Sequence, residues 1–324
     1  MILLFFAYLA GSNPTVMKRL SLFLLLTLLL AGVSAQAQET HRFVERDTCS
    51  LYLDIFRPAD GAETVIDGHA KPTVLFVFGG GFIMGQRSDR FVRPWFERLN
   101  AAGYGVVAID YRLGMKDYQV GKGLVGAYKA VDRFLLSQQI GVEDVFSAVT
   151  YLAEHPELGV DTGNLVLSGS SAGAIISLAS AYAIANGDTE GLPEGFRFKG
   201  VMSFAGAIIS NSGAPKFRSA PCPLLMFHGT ADGAVAYNHY SALGKGLWGS
   251  SYIAAQLQKK GWNCHIWRFE GSTHDVAGYM DYLWPIEKEF LEKDCTLGIA
   301  RSTDATVTDD SLPKWKQVTM ENIY

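Results

Sequence analysis

The sequence has no apolar run long enough to cross a membrane, no basic run outside its N-terminus, no internal repeat and no low-complexity segment. Its longest apolar run has about a dozen residues, whereas a membrane-spanning helix needs about 20. The net charge is −4, which gives no support for a nucleic-acid partner. What is present is 324 residues with 48% hydrophobic content, enough for one large α/β domain with a sizeable core.

The N-terminus has the pattern of a targeting segment. Lys18 and Arg19 precede the apolar residues 20–31, and Ala35-Gln36-Ala37 then forms a small-residue cleavage pattern. We therefore interpret residues 1–37 as a secretory signal peptide and expect a secreted or periplasmic protein. Met17 is a natural start for such a peptide, so residues 1–16 are either a mis-assigned start or an extension. No cysteine directly follows the apolar core, and we expect no stable membrane anchor.

Cysteine is scarce, with four residues, at positions 49, 222, 264 and 295. None has the Cys-x-x-Cys spacing typical of zinc sites, so we expect no metal and no cofactor. An exported protein can form disulfides, and four cysteines allow three full connectivities. Cys222 and Cys264 each lie ten residues before a candidate catalytic residue. These two form either a bridge or a pair of buried free thiols.

Apolar strand patterns alternate with helical patterns along most of the chain. Residues 49–56 alternate apolar and polar, which predicts a half-buried edge strand. More continuous apolar runs, typical of strands covered on both faces, occupy residues 73–78, 105–110, 164–168, 198–204, 223–227 and 265–269. Helical spacing occupies residues 96–102, 143–155, 172–186, 251–260 and 279–293. This alternation predicts an α/β fold with a mostly parallel, doubly wound sheet of about eight strands.

Two segments do not fit that alternation. Residues 113–140 mix Gly, Tyr and Lys without a clean period, and we interpret them as an insertion or cap near the site. Residues 296–324 are polar and aperiodic, which favours a C-terminal tail at the surface. We therefore expect a single domain over residues 38–324.

The stretch that organises the chain is Gly169-Ser170-Ser171-Ala172-Gly173, between a predicted strand and a predicted helix. This Gly-x-Ser-x-Gly pattern in this context is typical of a nucleophile elbow, a sharp turn that holds the central serine exposed at its tip. The glycines leave room for close approach of the backbone. The free N–H groups at the start of the helix also favour a developing negative charge. We therefore predict that Ser171 is a nucleophile.

A serine needs an imidazole base, and the imidazole needs an acid to orient it. His274 and Asp232 each follow a predicted parallel strand directly, and carboxyl ends of parallel strands meet at one edge of the sheet. The chain order Ser, Asp, His is the order expected for this architecture. We therefore predict a triad of Ser171, Asp232 and His274. The alternatives are His228 as the base and Asp275 as the acid.

An oxyanion hole needs backbone N–H groups aimed at the position where the carbonyl oxygen becomes negative. Gly79-Gly80-Gly81 follows an earlier strand and has no side chains to obstruct such donors. Ala172 adds the N–H that follows the nucleophile. These two positions are therefore the candidate oxyanion hole.

Five motifs in this order resemble the α/β-hydrolase carboxylesterases that carry a His-Gly-Gly-Gly motif. They are Leu75–Phe82 with Gly85, Asp110–Leu113, Gly169–Gly173, His228–Asp232 and Gly271–His274, within a likeness that runs from Cys49 to Cys295. That family includes hormone-sensitive-lipase-like esterases and bacterial secreted acetyl-xylan and feruloyl esterases. The resemblance implies the α/β-hydrolase fold, with Gly80, Gly81 and Ala172 as the oxyanion donors.

The sequence departs from the family pattern at Phe78, which stands where the motif has histidine. The glycine N–H groups are still present despite this change. The resemblance does not, however, predict how the loop is braced or what shape the acyl pocket has. A second departure is the stretch from Met115 to Ile140, which lacks the short Pro-rich connection usual in the family.

These observations predict a secreted serine hydrolase that cleaves carboxylic esters through an acyl-enzyme intermediate. The resemblance implies short acyl or hydroxycinnamoyl esters of carbohydrate, so the expected partner is a small-molecule or polysaccharide ester. One alternative is a peptidase of the prolyl-oligopeptidase type, which shares the triad but usually carries a large additional domain. Another is a non-catalytic binding protein with the same fold, although such proteins typically lose the serine or the histidine.

Overall fold

A nine-stranded sheet forms the centre of the computed structural model, which describes residues 38–314. Its order in space is β1-β2-β6-β5-β7-β8-β10-β13-β14. The bounds are β1 Glu39–Arg46, β2 Cys49–Phe56, β5 Thr73–Val77, β6 Val106–Ile109, β7 Leu165–Ser170, β8 Gly200–Phe204, β10 Leu224–Gly229, β13 Cys264–Phe269 and β14 Thr303–Val307. The β1–β2 and β2–β6 pairs are antiparallel and all the others are parallel, so the predicted mostly parallel sheet is confirmed.

The remaining strands of the described residues form two small sheets. A short hairpin consists of β3 (Val65–Ile66) and β4 (His69–Ala70). The other small sheet is three-stranded and antiparallel, in the order β11-β12-β9. Its members are β9 (Ala207–Ser210), β11 (His239–Ala242) and β12 (Lys245–Gly249). These three strands lie in the connections that follow β8 and β10.

In the described part of the chain, five α-helices connect the strands: α1 Arg93–Ala101, α2 Gly123–Glu154, α3 Ala172–Asn186, α4 Ser250–Lys259 and α5 Trp284–Phe290. Helix α3 has the bounds expected from the sequence. It is apolar on all sides and eleven of its residues are buried, as expected for a helix at the centre of a domain. None of the helices within residues 38–314 combines the length and the apolar character that crossing a membrane requires.

Helix α2 differs from the sequence interpretation. Its 32 residues include the helix expected at 143–155, except for the last residue, and also most of the segment that we interpreted as an insertion or cap. One glycine inside the helix, just after that segment, has a packing role: a Cβ atom at Gly141 would lie 2.5 Å from Ile176 Cδ1 of α3. A small residue there lets α2 and α3 approach closely. A cap role for residues 113–140 stays a prediction.

Two strands lie where the sequence indicated none. The prediction that residues 49–56 form an edge strand is wrong, because β1 covers β2 on its outer side. β14 is a ninth strand inside the segment expected to be a tail, and it pairs in parallel with β13. Both added strands have few buried positions, so their apolar patterns are weak. The predicted signal peptide at residues 1–37 lies outside the described part of the chain.

The cysteines are all free thiols in this structure, so Cys222 and Cys264 are not bridged. Cys264 is fully buried in the main core cluster at the start of β13. Burial raises the pKa of its thiol to about 12, which keeps the thiol protonated and unreactive at neutral pH.

Glu287 provides a test of stability against pH. Its carboxyl is fully buried, and Trp95 Nε1 donates to Glu287 Oε2 at 2.6 Å. Burial raises the pKa of Glu287 well above its usual range. The folded state therefore holds a proton that the unfolded state releases once the pH exceeds the ordinary glutamate range. Stability is then greatest at lower pH and falls as the pH rises towards the raised pKa.

We expect Glu287→Gln to flatten this dependence, because the amide cannot ionise. The melting temperature of the variant minus that of the wild type should increase as the pH rises from 5 to 8. Glu97→Gln, at an exposed position of the α1 helix that carries Trp95, is the matched control and should follow the wild-type curve. Parallel curves for wild type and Glu287→Gln would show that this carboxyl is not the cause.

Candidate active site

The predicted elbow is a strained turn between β7 and α3. Ser171 has φ 51° and ψ −115°, a backbone conformation that residues other than glycine rarely adopt. Two hydrogen bonds hold this turn: the Ser171 N–H donates to Phe204 O of β8 at 2.9 Å, and Ser171 O accepts from Ile175 N at 2.9 Å. The neighbouring sheet and the new helix therefore impose the conformation that presents the Ser171 hydroxyl.

Both glycines of the elbow are required by close backbone approach. A Cβ atom at Gly169 would lie 2.3 Å from the carbonyl of Gly173. A Cβ atom at Gly173 would lie 2.0 Å from Val77 O and 2.6 Å from Phe78 O. The second contact shows that the start of α3 sits directly against the chain that leaves β5. The elbow and the glycine-rich loop are therefore packed together.

We expect Gly173→Ala to disrupt this contact, because the methyl group would overlap a backbone oxygen that cannot rotate away. Overpacking of this kind costs about 1–3 kcal/mol or more. The melting temperature should fall by several degrees, at roughly 2–4 °C per kcal/mol. The reactivity of Ser171 should fall as well, because the turn that carries this residue has to shift.

Gly233→Ala is the matched control for Gly173→Ala. A Cβ atom at Gly233 would meet nothing within 4 Å, although the residue adjoins Asp232. This variant should keep both the stability and the activity of the wild type. Equal effects of the two substitutions would contradict the packing argument.

The structure brings the three predicted triad residues together in one hydrogen-bonded chain. Ser171 Oγ lies 2.7 Å from His274 Nε2, and His274 Nδ1 lies 2.7 Å from Asp232 Oδ2. All three side chains are buried, with Ser171 the most accessible at 6%. His274 begins a short 3-10 helix, His274–Gly278, and Asp232 lies in the turn that follows β10. His274 is therefore in contact with both Ser171 and Asp232.

The two loops that carry Asp232 and His274 are tied to each other. Ala231 N donates to Ser272 O at 3.0 Å, and Gly271 N donates to Thr230 Oγ1 at 2.9 Å. A Cβ atom at Gly229 would lie 2.2 Å from Thr273 O, so only glycine allows this approach. These contacts hold the acid within reach of the histidine.

The carboxylate of Asp232 is fully occupied by donors. Its Oδ1 accepts from Ala234 N at 2.8 Å and from Val235 N at 2.9 Å. Its Oδ2 faces His274 and also His228, whose Nε2 lies 3.3 Å away. Burial by itself would raise the pKa of Asp232, but the hydrogen bonds from His228 and His274 hold it well below its usual range. The acid is therefore ionised at neutral pH.

The alternatives raised by the sequence occupy other positions. His228 contacts Asp232 and bonds to Ser250 and Val235, but no contact joins it to Ser171. Asp275 Oδ2 accepts from Thr273 Oγ1 at 2.9 Å, and the bond to His274 Nδ1 comes from Asp232. The geometry therefore favours His274 as the base and Asp232 as the acid.

The candidate oxyanion loop has an unusual backbone. Gly80, Gly81 and Phe82 follow one another at φ 111°, 61° and 63°. A Cβ atom at Gly80 would lie 1.9 Å from Met84 O, which makes glycine necessary there. Gly173 packs against the carbonyls just before this loop, so the loop lies beside the elbow. The donor roles of Gly80, Gly81 and Ala172 stay a prediction.

Aromatic packing braces the loop at the position where the family motif has histidine. The Phe78 ring lies on the ring of Tyr111 with centroids 4.4 Å apart, and the Tyr111 hydroxyl donates to Gly79 O at 3.3 Å. Gly85 closes the other side, since a Cβ atom there would lie 2.4 Å from the Phe78 ring. Phe78 and Tyr111 therefore supply the bracing that the sequence comparison left open.

A cavity of about 270 Å³ lies between the glycine-rich loop, the start of α1 and the turn after His274. Two exposed aromatic side chains, Phe91 at 62% and Tyr282 at 58%, are part of its lining. The buried part of its lining is mostly apolar and includes Phe76, Phe78, Val92, Ser170, Ala277 and Met280. Residues adjacent to the nucleophile and shortly after the histidine therefore line a space that an apolar group can fill.

Within residues 38–314 no cluster of three or more histidine, cysteine, aspartate and glutamate side chains is arranged to hold a metal ion.

No family model matches this chain. A curated relative, the esterase LipI of Mycobacterium tuberculosis, is 31% identical over 121 residues, which are 36% of this chain and 31% of that protein. The match therefore spans about a third of the relative's length.

Among solved structures, native esterase 2 of the planctomycete Thermogutta terrifontis superposes with a TM-score of 0.55 at 24% identity, covering 80% of this chain and 93% of that one. The same esterase phosphorylated by paraoxon gives a TM-score of 0.54 at 23% identity, covering 80% and 95%. It has also been solved with propionate and with butyrate bound. The nine-stranded sheet and these neighbours confirm the α/β-hydrolase fold predicted from the sequence.

Proposed function

We propose that this protein is a serine hydrolase that cleaves carboxylic esters through an acyl-enzyme intermediate. The observation that carries the proposal is the chain of two 2.7 Å contacts from Ser171 through His274 to Asp232. In such a chain the imidazole can take the proton of the hydroxyl, and the ionised carboxylate stabilises the imidazolium that forms. The likeness to proteins named as esterases supports an ester as the substrate.

The reaction proceeds in two halves. Ser171 Oγ attacks the ester carbonyl while His274 Nε2 takes the hydroxyl proton, and the resulting imidazolium is stabilised by Asp232. The C–O bond to the alcohol then breaks, and His274 returns the proton to the leaving oxygen. Water, deprotonated by His274, attacks the acyl-enzyme and releases the acid together with the free Ser171 hydroxyl.

The backbone amides of Gly80, Gly81 and Ala172 are the proposed donors to the oxyanion. The loop has three consecutive residues with positive φ, and a helix begins directly after Ser171. Backbone of both kinds can point several N–H groups at one anion. Such donors contribute about 3–4 kcal/mol each to the transition state in serine hydrolases.

For the substrate we propose a short acyl or hydroxycinnamoyl ester of a carbohydrate. The propionate and butyrate complexes of the Thermogutta terrifontis esterase support a short acyl group. The aromatic and apolar lining of the 270 Å³ cavity supports a hydroxycinnamoyl ring, because such a ring gains more from burial there than a sugar does. We also propose that residues 1–37 direct export, which suits a polysaccharide ester outside the cell.

A fluorophosphonate probe and a small substrate panel test the reaction type. Wild-type protein should be labelled covalently, should hydrolyse p-nitrophenyl acetate and should release acid from methyl ferulate or acetylated xylan. Preferential cleavage of a dipeptide anilide would favour the peptidase alternative. Absence of both labelling and turnover would favour a non-catalytic binding protein.

A further inference from the structure

His228 is a buried titratable side chain that the proposed reaction does not use. It lies on β10, is 0% exposed, and has partners at both ring nitrogens. Nδ1 lies 2.9 Å from Ser250 Oγ, while Nε2 lies 3.2 Å from Val235 O and 3.3 Å from Asp232 Oδ2. Its Tyr237 neighbour packs edge-on with ring centroids 5.7 Å apart. The imidazole is therefore held rigidly beside the acid.

The contacts determine which nitrogen carries a proton. The Val235 carbonyl can only accept a hydrogen bond, and the Asp232 carboxylate is ionised, so Nε2 of His228 must be the N–H donor. The hydroxyl of Ser250 can donate to Nδ1, or accept from it and donate to Gly206 O at 3.2 Å. Either way, His228 presents an N–H to the same carboxylate oxygen that bonds His274.

We propose that His228 is a positioning residue, which holds Asp232 through a second histidine contact on Oδ2. The inference rests on the proposed ester hydrolysis. One N–H of His228 spans the carboxylate and the Val235 carbonyl, and Val235 N in turn donates to Asp232 Oδ1. The side chain thus links the acid to its own loop and limits rotation of the carboxyl group. His274 then meets an oxygen that is already aimed at its Nδ1.

This arrangement predicts an effect on turnover without an effect on substrate binding, since His228 is buried and does not reach Ser171. Displacement of a catalytic group by about 1 Å can lower the rate about 10²-fold. Loss of the Nε2 donor should therefore lower kcat by up to that factor, while KM for p-nitrophenyl acetate changes little.

Two conservative variants separate the donor from the packing. In His228→Gln the amide nitrogen can occupy the place of Nε2 and reach Asp232, so kcat should stay within about tenfold of wild type. In His228→Asn the shorter amide reaches only Ser250 and not Asp232. The kcat should therefore fall by up to about 10²-fold. Melting temperatures of the two variants report whether both remain folded.

His265 offers a matched control on the neighbouring strand β13. It is also buried and bonded to a carboxylate, with Nε2 2.9 Å from Asp294 Oδ1 and Nδ1 3.0 Å from Thr303 Oγ1, but it lies at the end of the strand away from the site. His265→Gln and His265→Asn should both lower the melting temperature, and the kcat values of these two variants should not differ from each other.

The proposal is overturned if folded His228→Asn turns over as fast as wild type, or if the Gln and Asn variants lose equal activity. Failure of the proposed function looks different: the wild-type protein would then neither hydrolyse the ester nor react with the fluorophosphonate probe.

Discussion

Replacing Ser171 by alanine is expected to lower kcat for p-nitrophenyl acetate roughly 10⁶-fold, because loss of the nucleophile removes the whole triad mechanism. Covalent labelling by a fluorophosphonate should vanish as well. The fold should persist, since the strained turn is held by backbone bonds from Ser171 N to Phe204 O and from Ile175 N to Ser171 O, which alanine keeps. Stopped-flow hydrolysis and mass spectrometry of the labelled protein measure both effects.

Ser170→Ala is the control beside it. The Ser170 hydroxyl donates to Ala277 O at 2.7 Å on the other side of the turn, so it supports the loop after His274. We expect this variant to keep its labelling and to lose less than about tenfold in rate, as expected for one supporting hydrogen bond worth about 0.5–1.5 kcal/mol. Labelling of Ser171→Ala at the wild-type rate would refute the assignment of the nucleophile.

Asp232→Asn should have the second largest effect, about 10⁴-fold in kcat. The environment of the carboxyl dictates the orientation of the new amide. Two backbone N–H groups, of Ala234 and Val235, donate to the Oδ1 position, so the amide oxygen must take that place. The NH₂ group then faces His274 Nδ1 and acts as a donor to it. This forces the proton of His274 onto Nε2, where the ring can no longer accept the proton of Ser171.

Asp275→Asn is the matched control, because Asp275 is equally buried and adjoins His274 in sequence. Its Oδ2 accepts from Thr273 Oγ1, a bond that an asparagine oxygen can also accept. We expect a loss of less than about tenfold. An Asp275→Asn variant as slow as Asp232→Asn would show that the two carboxylates share the orienting role.

The candidate site was predictable to a large extent because its residues follow strand patterns directly. Ser171, Asp232 and His274 each stand just after a buried apolar run, and parallel strands bring such positions to one edge. The glycines around them were also visible in the sequence. The atoms that they approach were not, because the close contacts of Gly173 with Val77 O and of Gly229 with Thr273 O join residues far apart in the chain.

Other parts of the fold could not be read from the sequence. Apart from the buried Phe43, β1 and β14 alternate between intermediate and exposed positions, so they lack the apolar runs that indicate a strand and depend on their neighbours for pairing. Helix α2 contains glycines, which usually argue against a helix, and one of them, Gly141, allows close packing on Ile176. Tertiary contacts outweigh local propensity in both cases.

The role of His228 shows the same limit at the site itself. A histidine before a glycine turn can serve as a base, brace a loop or fill a core, and local sequence does not distinguish these. Only its 3.3 Å contact with Asp232 Oδ2 gives it a place next to the acid.

By itself the sequence determined the α/β class, and it predicted the elbow and the triad order Ser171, Asp232, His274, because these depend on local patterns and on the rule that parallel strands end at one edge. The tertiary structure decided which histidine contacts Ser171, how Phe78 braces the glycine-rich loop, and which group holds Asp232. Those outcomes depend on distances of a few ångströms between segments that are remote in the chain. No local pattern specifies such distances, since they arise only when the whole sheet and its helices pack together.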